Sequence, residues 1–306
     1  MTTSYLLGGQ IPLTAASCQE FHDRYPEIRS SYEQASEWTG FSVSELLAGS
    51  QHEEREVVHS FSALRQAALV LGIHDVLAGR GIYPDAVGGL SLGGLISACL
   101  TGAVERQELF GLLHYHRLVP ASPDPRAQGM AVAALPIDDD PESFYGERCP
   151  GVYLAADYEA AYGGNMHVIV LSGYVDALEK LVAEHPRKMQ MLYQYAGAYH
   201  SPLVQYVSDF MEPRISEMTF RDPKITMFSS HSAGTVTTAE ATRDYFLHNH
   251  VRGVGIKPLM TEVERIGTDI LVGLGPGLPE SLVVERLTMA LVITPAGLDE
   301  ASEALR

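Results

Sequence analysis

Apolar residues in this chain fall into short continuous runs that alternate with longer stretches where they recur every three or four positions. The short runs read as buried strands and the longer stretches as helices. Tyr5-Leu6-Leu7, closed by Gly8-Gly9-Gln10, predicts a first strand. Helices are expected over 16–37 and 43–48, and a longer one through 57–69. A strand over 85–88 leads into small apolar residues at 94–100, which predict a buried helix ending near Gly102, and a further helix is expected over 105–116. Strand–helix alternation of this kind argues for an α/β fold with a largely parallel sheet.

The middle of the chain has a different rhythm. Strand-like runs at 130–135, 152–156 and 167–171 precede a helix over 174–185 and another short segment at 189–192. Strands and helices in that order predict a small α+β insert of ferredoxin-like form. Asp138-Asp139-Asp140-Pro141 reads as a loop. Beyond His200 the chain returns to helix, then a strand over 225–229, helices around 238–249 and 258–266, and a strand over 269–274 that ends in Gly275-Pro276-Gly277.

Between the 85–88 strand and the 94–100 helix stands Gly89-Leu90-Ser91-Leu92-Gly93, which has the form of a nucleophile elbow. A serine on so tight a turn is pushed out of the sheet edge. It also sits at a helix N-terminus, where free backbone N–H groups favour a developing oxyanion. Glycine-rich strand–helix turns also serve packing alone, so the pattern by itself leaves both readings open.

Composition narrows the classes. The chain has 306 residues, 46% hydrophobic, and a net charge of −17. That charge argues against a nucleic-acid surface. An acidic partner would have to dock on a local basic patch, for which Arg187-Lys188, Arg214, Arg221 and Lys224 are candidates; solvated surface charge is the plainer reading of each. The longest apolar runs are too short to span a bilayer. The first residues lack the basic and apolar regions of a secretory signal. Cys18, Cys99 and Cys149 show no metal-ligand spacing and read as reduced thiols, so a cytoplasmic protein without a membrane association is expected.

Four segments in order carry a resemblance: Gly8-Gly9-Gln10, Gly89-Leu90-Ser91-Leu92-Gly93, Gly197-Ala198-Tyr199-His200-Ser201-Pro202-Leu203 and Val272-Gly273-Leu274-Gly275-Pro276-Gly277. In these the chain resembles the malonyl-CoA:ACP transacylase family, the acyltransferases of fatty-acid and polyketide synthesis. The resemblance implies an α/β-hydrolase-like core of residues 1–128 and 199–306 with a ferredoxin-like subdomain at 129–198. It implies a monomer with no bound cofactor or metal, acting on thioesters of CoA or of a phosphopantetheinyl acyl carrier protein, its protein partner. Ser91 would attack the thioester and hold the acyl group as an ester, with His200 as base. The histidine would be oriented by a main-chain carbonyl within 252–256, and the backbone N–H groups of Gln10 and Leu92 would form the oxyanion hole. Tyr199 would help shape the acyl pocket, or simply pack.

The departures from the family bear on the substrate. Leu90 stands where histidine is usual and Gly94 where glutamate is usual, both expected at the pocket wall. Malonyl-type members carry an arginine near the end of the helix after the elbow, whose fork pairs with the substrate carboxylate. A gapless register puts His116 there and Arg117 one step beyond, turned by about 100° on a helix. If the helix has ended by His116, a bulge would return Arg117 to the pocket. With His116 in place, neutral acyl groups are expected over malonyl; with Arg117 in place, the chain would be a malonyl transacylase. Release of the Ser91 ester to water, by a proofreading acyl-carrier hydrolase of a polyketide system, is the close alternative to transfer. A catalytically idle carrier binder is disfavoured by the intact Ser91, His200 and Gln10.

Overall fold

In the computed structural model, which describes residues 1–49, 54–161, 165–195, 197–278 and 287–305, strand β1 (Thr3–Leu7) is followed by helices α1 (Ala15–Arg24), α2 (Pro26–Thr39), α3 (Val43–Ala48) and α4 (Arg55–Gly79). Next come β2 (Ala86–Gly89), α5 (Leu92–Leu100), α6 (Arg106–Tyr115), β3 (Gln128–Pro136), β4 (Val152–Ala161), β5 (Met166–Tyr174), α7 (Val175–Glu184) and β6 (Met189–Met191). The remainder is α8 (Gln205–Glu217), β7 (Thr226–Phe228), β8 (Thr235–Val236), α9 (Ala239–His248), β9 (Val254–Gly255), α10 (Ile256–Arg265), β10 (Ile270–Leu274), β11 (Thr288–Val292) and α11 (Pro295–Ala304).

Two sheets organise these elements. The larger has the order β11-β10-β1-β2-β7-β8, parallel throughout except for β8. β1 and β2 lie side by side with every residue buried, which is why both read as short apolar runs rather than alternating ones. The second sheet, β6-β3-β5-β4-β9, is antiparallel except where β4 meets β9. Its first four strands have the ferredoxin-like order, yet two 3-10 turns, Pro141–Phe144 and Gly146–Arg148, replace the helix that would follow its first strand. The fifth strand, β9, comes from residues 254–255, well beyond the expected insert, and sews it to the larger core.

Several boundaries differ from expectation for identifiable reasons. The single helix expected over 16–37 is two, because Tyr25 precedes a proline and is held extended at φ −120° and ψ 121°, with Pro26 opening the next helix. α4 runs ten residues past the expected end. It is the one helix among the described residues long and apolar enough to cross a bilayer, but 78% of that window is buried in the protein's own core. Strand β11 and helix α11 were not anticipated at all.

Candidate active site

The elbow is built by close backbone approach. A Cβ on Gly89 would lie 2.3 Å from the Gly93 carbonyl carbon, and one on Gly93 would lie 2.6 Å from the carbonyl oxygens of Leu7 and Gly8. Only glycine lets β2, the turn and α5 pack this tightly. Ser91 itself, at φ 53° and ψ −117°, holds a left-handed conformation that costs a residue with a side chain about 1–3 kcal/mol. It caps α5 with no side-chain hydrogen bond to the helix, so its Oγ is free to face the cavity.

His200 meets it. The His200 Nε2 lies 2.8 Å from Ser91 Oγ, and its Nδ1–H donates to the Arg252 carbonyl oxygen at 2.9 Å. The second bond fixes the tautomer with the lone pair on Nε2, toward the serine. The carbonyl of Arg252 falls within the expected 252–256 segment. Burial pushes the His200 pKa down to about 4, against the opposing pull of backbone bonds to Arg252 and Asn249, so the ring is a neutral acceptor at pH 7.

His59 and His250 are likewise pushed down by burial, to about 4 and about 3. In an unfolded chain all three would titrate near 6.5. The unfolded state therefore binds more protons between about 6.5 and 4, and stability that is complete above that window is lost as pH falls through it. The free energy of unfolding is expected to fall between pH 7 and pH 5, by up to about 1.4 kcal/mol per pH unit for each histidine, and Tm to fall with it, while kcat/KM per folded molecule stays level. Thermal melts and initial rates across that range check both halves.

The loop carrying Gln10 is held from several sides. Gln66, 1% exposed on α4, accepts from the Ile11 N–H at 2.9 Å and donates from Nε2 to the Gly9 carbonyl at 2.8 Å. The Tyr195 hydroxyl donates to the Gln10 carbonyl at 2.7 Å, and Gln10 Nε2 donates to the His59 carbonyl at 2.9 Å. Among the described residues, neither the Gln10 nor the Leu92 backbone N–H finds an acceptor, and a Cβ on Gly9 would stand 3.8 Å from Ser91 Cβ. These two donors are thus unpaired beside the serine. Gln66→Leu frees both ends of that loop, and a roughly tenfold fall in kcat with little change in KM is the expected result from steady-state kinetics.

Gln10, Leu90, Ser91, Leu92, His116, Tyr199 and His200 all line one cavity of about 340 Å³. Apolar side chains make up much of the rest of its lining, among them Ala63, Leu95, Leu112, Leu113, Met130 and Met211. His116 is 4% exposed and begins a 3-10 turn directly after α6, with φ −55° and ψ −28°. The chain therefore stays helical and does not bulge. His116 faces the cavity, whereas Arg117 turns away and donates from Nε to His114 Nε2 at 2.8 Å. Gly94 is not at the cavity wall, contrary to expectation. A Cβ there would stand 2.1 Å from the Tyr245 hydroxyl, which reaches Ser230 Oγ at 2.7 Å.

Three residues of the site carry no signal in a linear reading. Glu56 Oε2 lies 3.5 Å from His116 Nδ1 and accepts from the Tyr199 hydroxyl at 3.2 Å. The His59 ring stacks on Tyr199 at 4.5 Å, and the His250 ring lies 5.3 Å from that of His116. Glu56 and His59 come from α4 and His250 from the segment after α9, and only packing brings them to His116 and Tyr199. Gln66 did leave a trace, as a polar residue within the apolar run of α4. Of the candidate basic residues, Lys188, Arg214 and Arg221 are paired with Asp139, Glu217 and Glu105. Among the described residues no cluster of His, Cys, Asp or Glu is arranged to hold a metal ion.

The comparisons agree with this architecture. The chain is 28% identical over 201 residues to the highly reducing polyketide synthase sphB of Aspergillus fumigatus, covering 64% of this chain and 8% of that protein. It is 24% identical over 193 residues to the polyketide biosynthesis acyltransferase homolog PksD of Bacillus subtilis, covering 61% of this chain and 54% of that one. It thus spans under a tenth of the former and about half of the latter. In fold it is similar to an acyl-carrier-protein S-malonyltransferase from Burkholderia pseudomallei, with a TM-score of 0.84, 20% identity and coverage of 99% and 100%. A malonyl-transacylase solved with its type II acyl-carrier protein superposes with a TM-score of 0.82 at 18% identity, covering 99% of this chain and 100% of that one. The model of the acyl transferase domain family matches residues 26–276, a span that takes in both Ser91 and His200, and the chain belongs to that family.

Proposed function

We propose that this acyltransferase moves neutral acyl groups, rather than malonyl, to or from the phosphopantetheine thiol of an acyl carrier protein in polyketide or fatty-acid synthesis. Ser91 Oγ attacks the thioester carbonyl while its proton passes to His200 Nε2. The oxyanion is met by the N–H groups of Gln10 and Leu92. The C–S bond then breaks and His200 returns the proton to the departing thiol, leaving a Ser91 ester. Attack by a second carrier thiol, with the same proton path in reverse, completes transfer.

The observation that carries the choice of acyl group is electrostatic. Among the described residues no lysine or arginine lines the cavity, and the charged group that touches His116 is the Glu56 carboxylate. Burial lowers the His116 pKa well below that of a free imidazole, so the ring supplies no positive charge. A malonyl carboxylate placed there would be desolvated without a cation and would face a second carboxylate, a cost of several kcal/mol.

Intact-mass measurement of the protein after brief exposure to malonyl-CoA and acetyl-CoA tests this reading. Loading of Ser91 by acetyl and little by malonyl is expected, followed by movement of acetyl to an added holo carrier protein. Rapid, selective malonyl loading would sink it. Loss of the acyl group at the same rate with and without the carrier would mean release to water instead of transfer.

A further inference from the structure

The Ser91 cavity extends further than an acetyl group needs. Ser91 caps the N-terminal end of α5, and Leu95, four residues on and ~6 Å along the helix axis, still lines the cavity. Ala63 of α4, Leu92 and Leu95 of α5, and Leu112 and Leu113 of α6 all line it, and all belong to one buried core cluster. None of the five is more than 7% exposed, so the interior of the protein closes this side of the cavity. At ~30 Å³ for a group the size of a water molecule, a cavity of about 340 Å³ has room for about ten such groups. An acetyl ester leaves most of that space unfilled, even beside the sulfur end of a pantetheine arm.

The polar groups along the lining are turned to the protein. The Ser60 hydroxyl donates to the Leu113 carbonyl at 2.6 Å, that of Tyr195 to the Gln10 carbonyl, and that of Tyr199 to Glu56. Both nitrogens of His116 are buried, so its ring lines the cavity with carbon. The closed side therefore offers hydrocarbon and few hydrogen-bonding atoms. A cavity walled in this way takes up apolar ligands, and left empty it destabilises the fold. A polar chain placed there would give up its bonds to water and gain no partner. A saturated chain gives up nothing and fills the space.

We infer that the preferred acyl groups are linear hydrocarbon chains of about six to eight carbons, the length that fills the cavity once the sulfur end of the carrier arm has its share. The chain runs from Ser91 past Leu95, with Ala63 on one side and Leu112 and Leu113 on the other. This rests on the proposed transfer through Ser91 and names the substrate class of the same site. Each methylene moved from water into such a wall strengthens binding about fourfold, so selectivity grows with length until the space is full.

The test compares pantetheine thioesters of acetate, butyrate, hexanoate, octanoate and laurate by kcat/KM for acylation of Ser91, read by intact mass. The wild-type protein is expected to favour hexanoyl over acetyl by about a hundredfold or more, and to fall off at lauroyl, whose chain is longer than the cavity. In Ala63→Met and Leu95→Phe, which add atoms to the closed side, the hexanoyl-to-acetyl ratio is expected to drop about tenfold and the best substrate to become butyryl. A flat or falling profile from acetyl to hexanoyl in the wild type overturns the inference. So does an unmoved ratio in a variant that melts like the wild type; where a variant is unstable, the wild-type profile decides alone. Absence of Ser91 acylation by any thioester overturns instead the function on which it rests.

Discussion

Ser91→Ala is expected to reduce acyl transfer about a millionfold and to abolish the mass increment of the acyl-enzyme, because nucleophile and base act as a unit. The Ser91–His200 contact of 2.8 Å and the Nδ1 bond to Arg252 make up that unit. The same position yields a second readout. Ser91 sits at φ 53°, where a side chain is strained and glycine is not. Ser91→Gly should therefore be as inactive as Ser91→Ala and yet melt higher, by roughly 2 °C for each kcal/mol of strain relieved. Equal melting temperatures for the two variants would show that the elbow stores no strain. Residual acylation of Ser91→Ala at another residue would show that the nucleophile lies elsewhere.

The second large effect is a gain. His116→Arg combined with Glu56→Gln is expected to raise kcat/KM for malonyl-CoA by about a hundredfold, the scale of a buried ion pair made good. The single change His116→Arg should achieve much less. Glu56 Oε2 stands 3.5 Å from the present imidazole, so a new guanidinium would pair with it and be spent before substrate arrives. Glu56→Gln alone removes a repelling charge but adds no fork. The two changes should thus be strongly non-additive, as neighbours sharing one interaction are. Kinetics of the four proteins in this cycle check the claim, and additive singles would refute it.

Much of this site could be read from order along the chain. Glycine spacing alone exposes the elbow, since the close approach of Gly89 to Gly93 requires residues without side chains at both positions. His200 could be picked from twelve histidines by the Ala-Tyr-His-Ser-Pro segment around it. Counting residues pointed to His116 ahead of Arg117 as the residue facing the pocket; the structure shows His116 lining the cavity and Arg117 turned to His114. Glu56 and His59 on α4 and His250 after α9 were illegible because these distant segments meet His116 and Tyr199 only in the folded core. Gly94 was misread because its role is to leave room for Tyr245, 151 positions later (245 − 94). Strand β9 was too short, at two residues, to leave any periodicity.

That short strand has a mechanical consequence. Residues 252–255 carry in succession the carbonyl that orients His200, the carbonyl of Gly253 that accepts from His231, and the two residues that pair with Ala156 and Asp157 of β4. The Gly255 N–H in turn donates to the Ser230 carbonyl, just beyond β7 of the parallel sheet. One four-residue strap thus joins both sheets and grips the base. A shift of the smaller sheet against the larger one is transmitted to the His200 ring within three residues, so a load applied to β4 from outside acts as a lever on the proton acceptor itself.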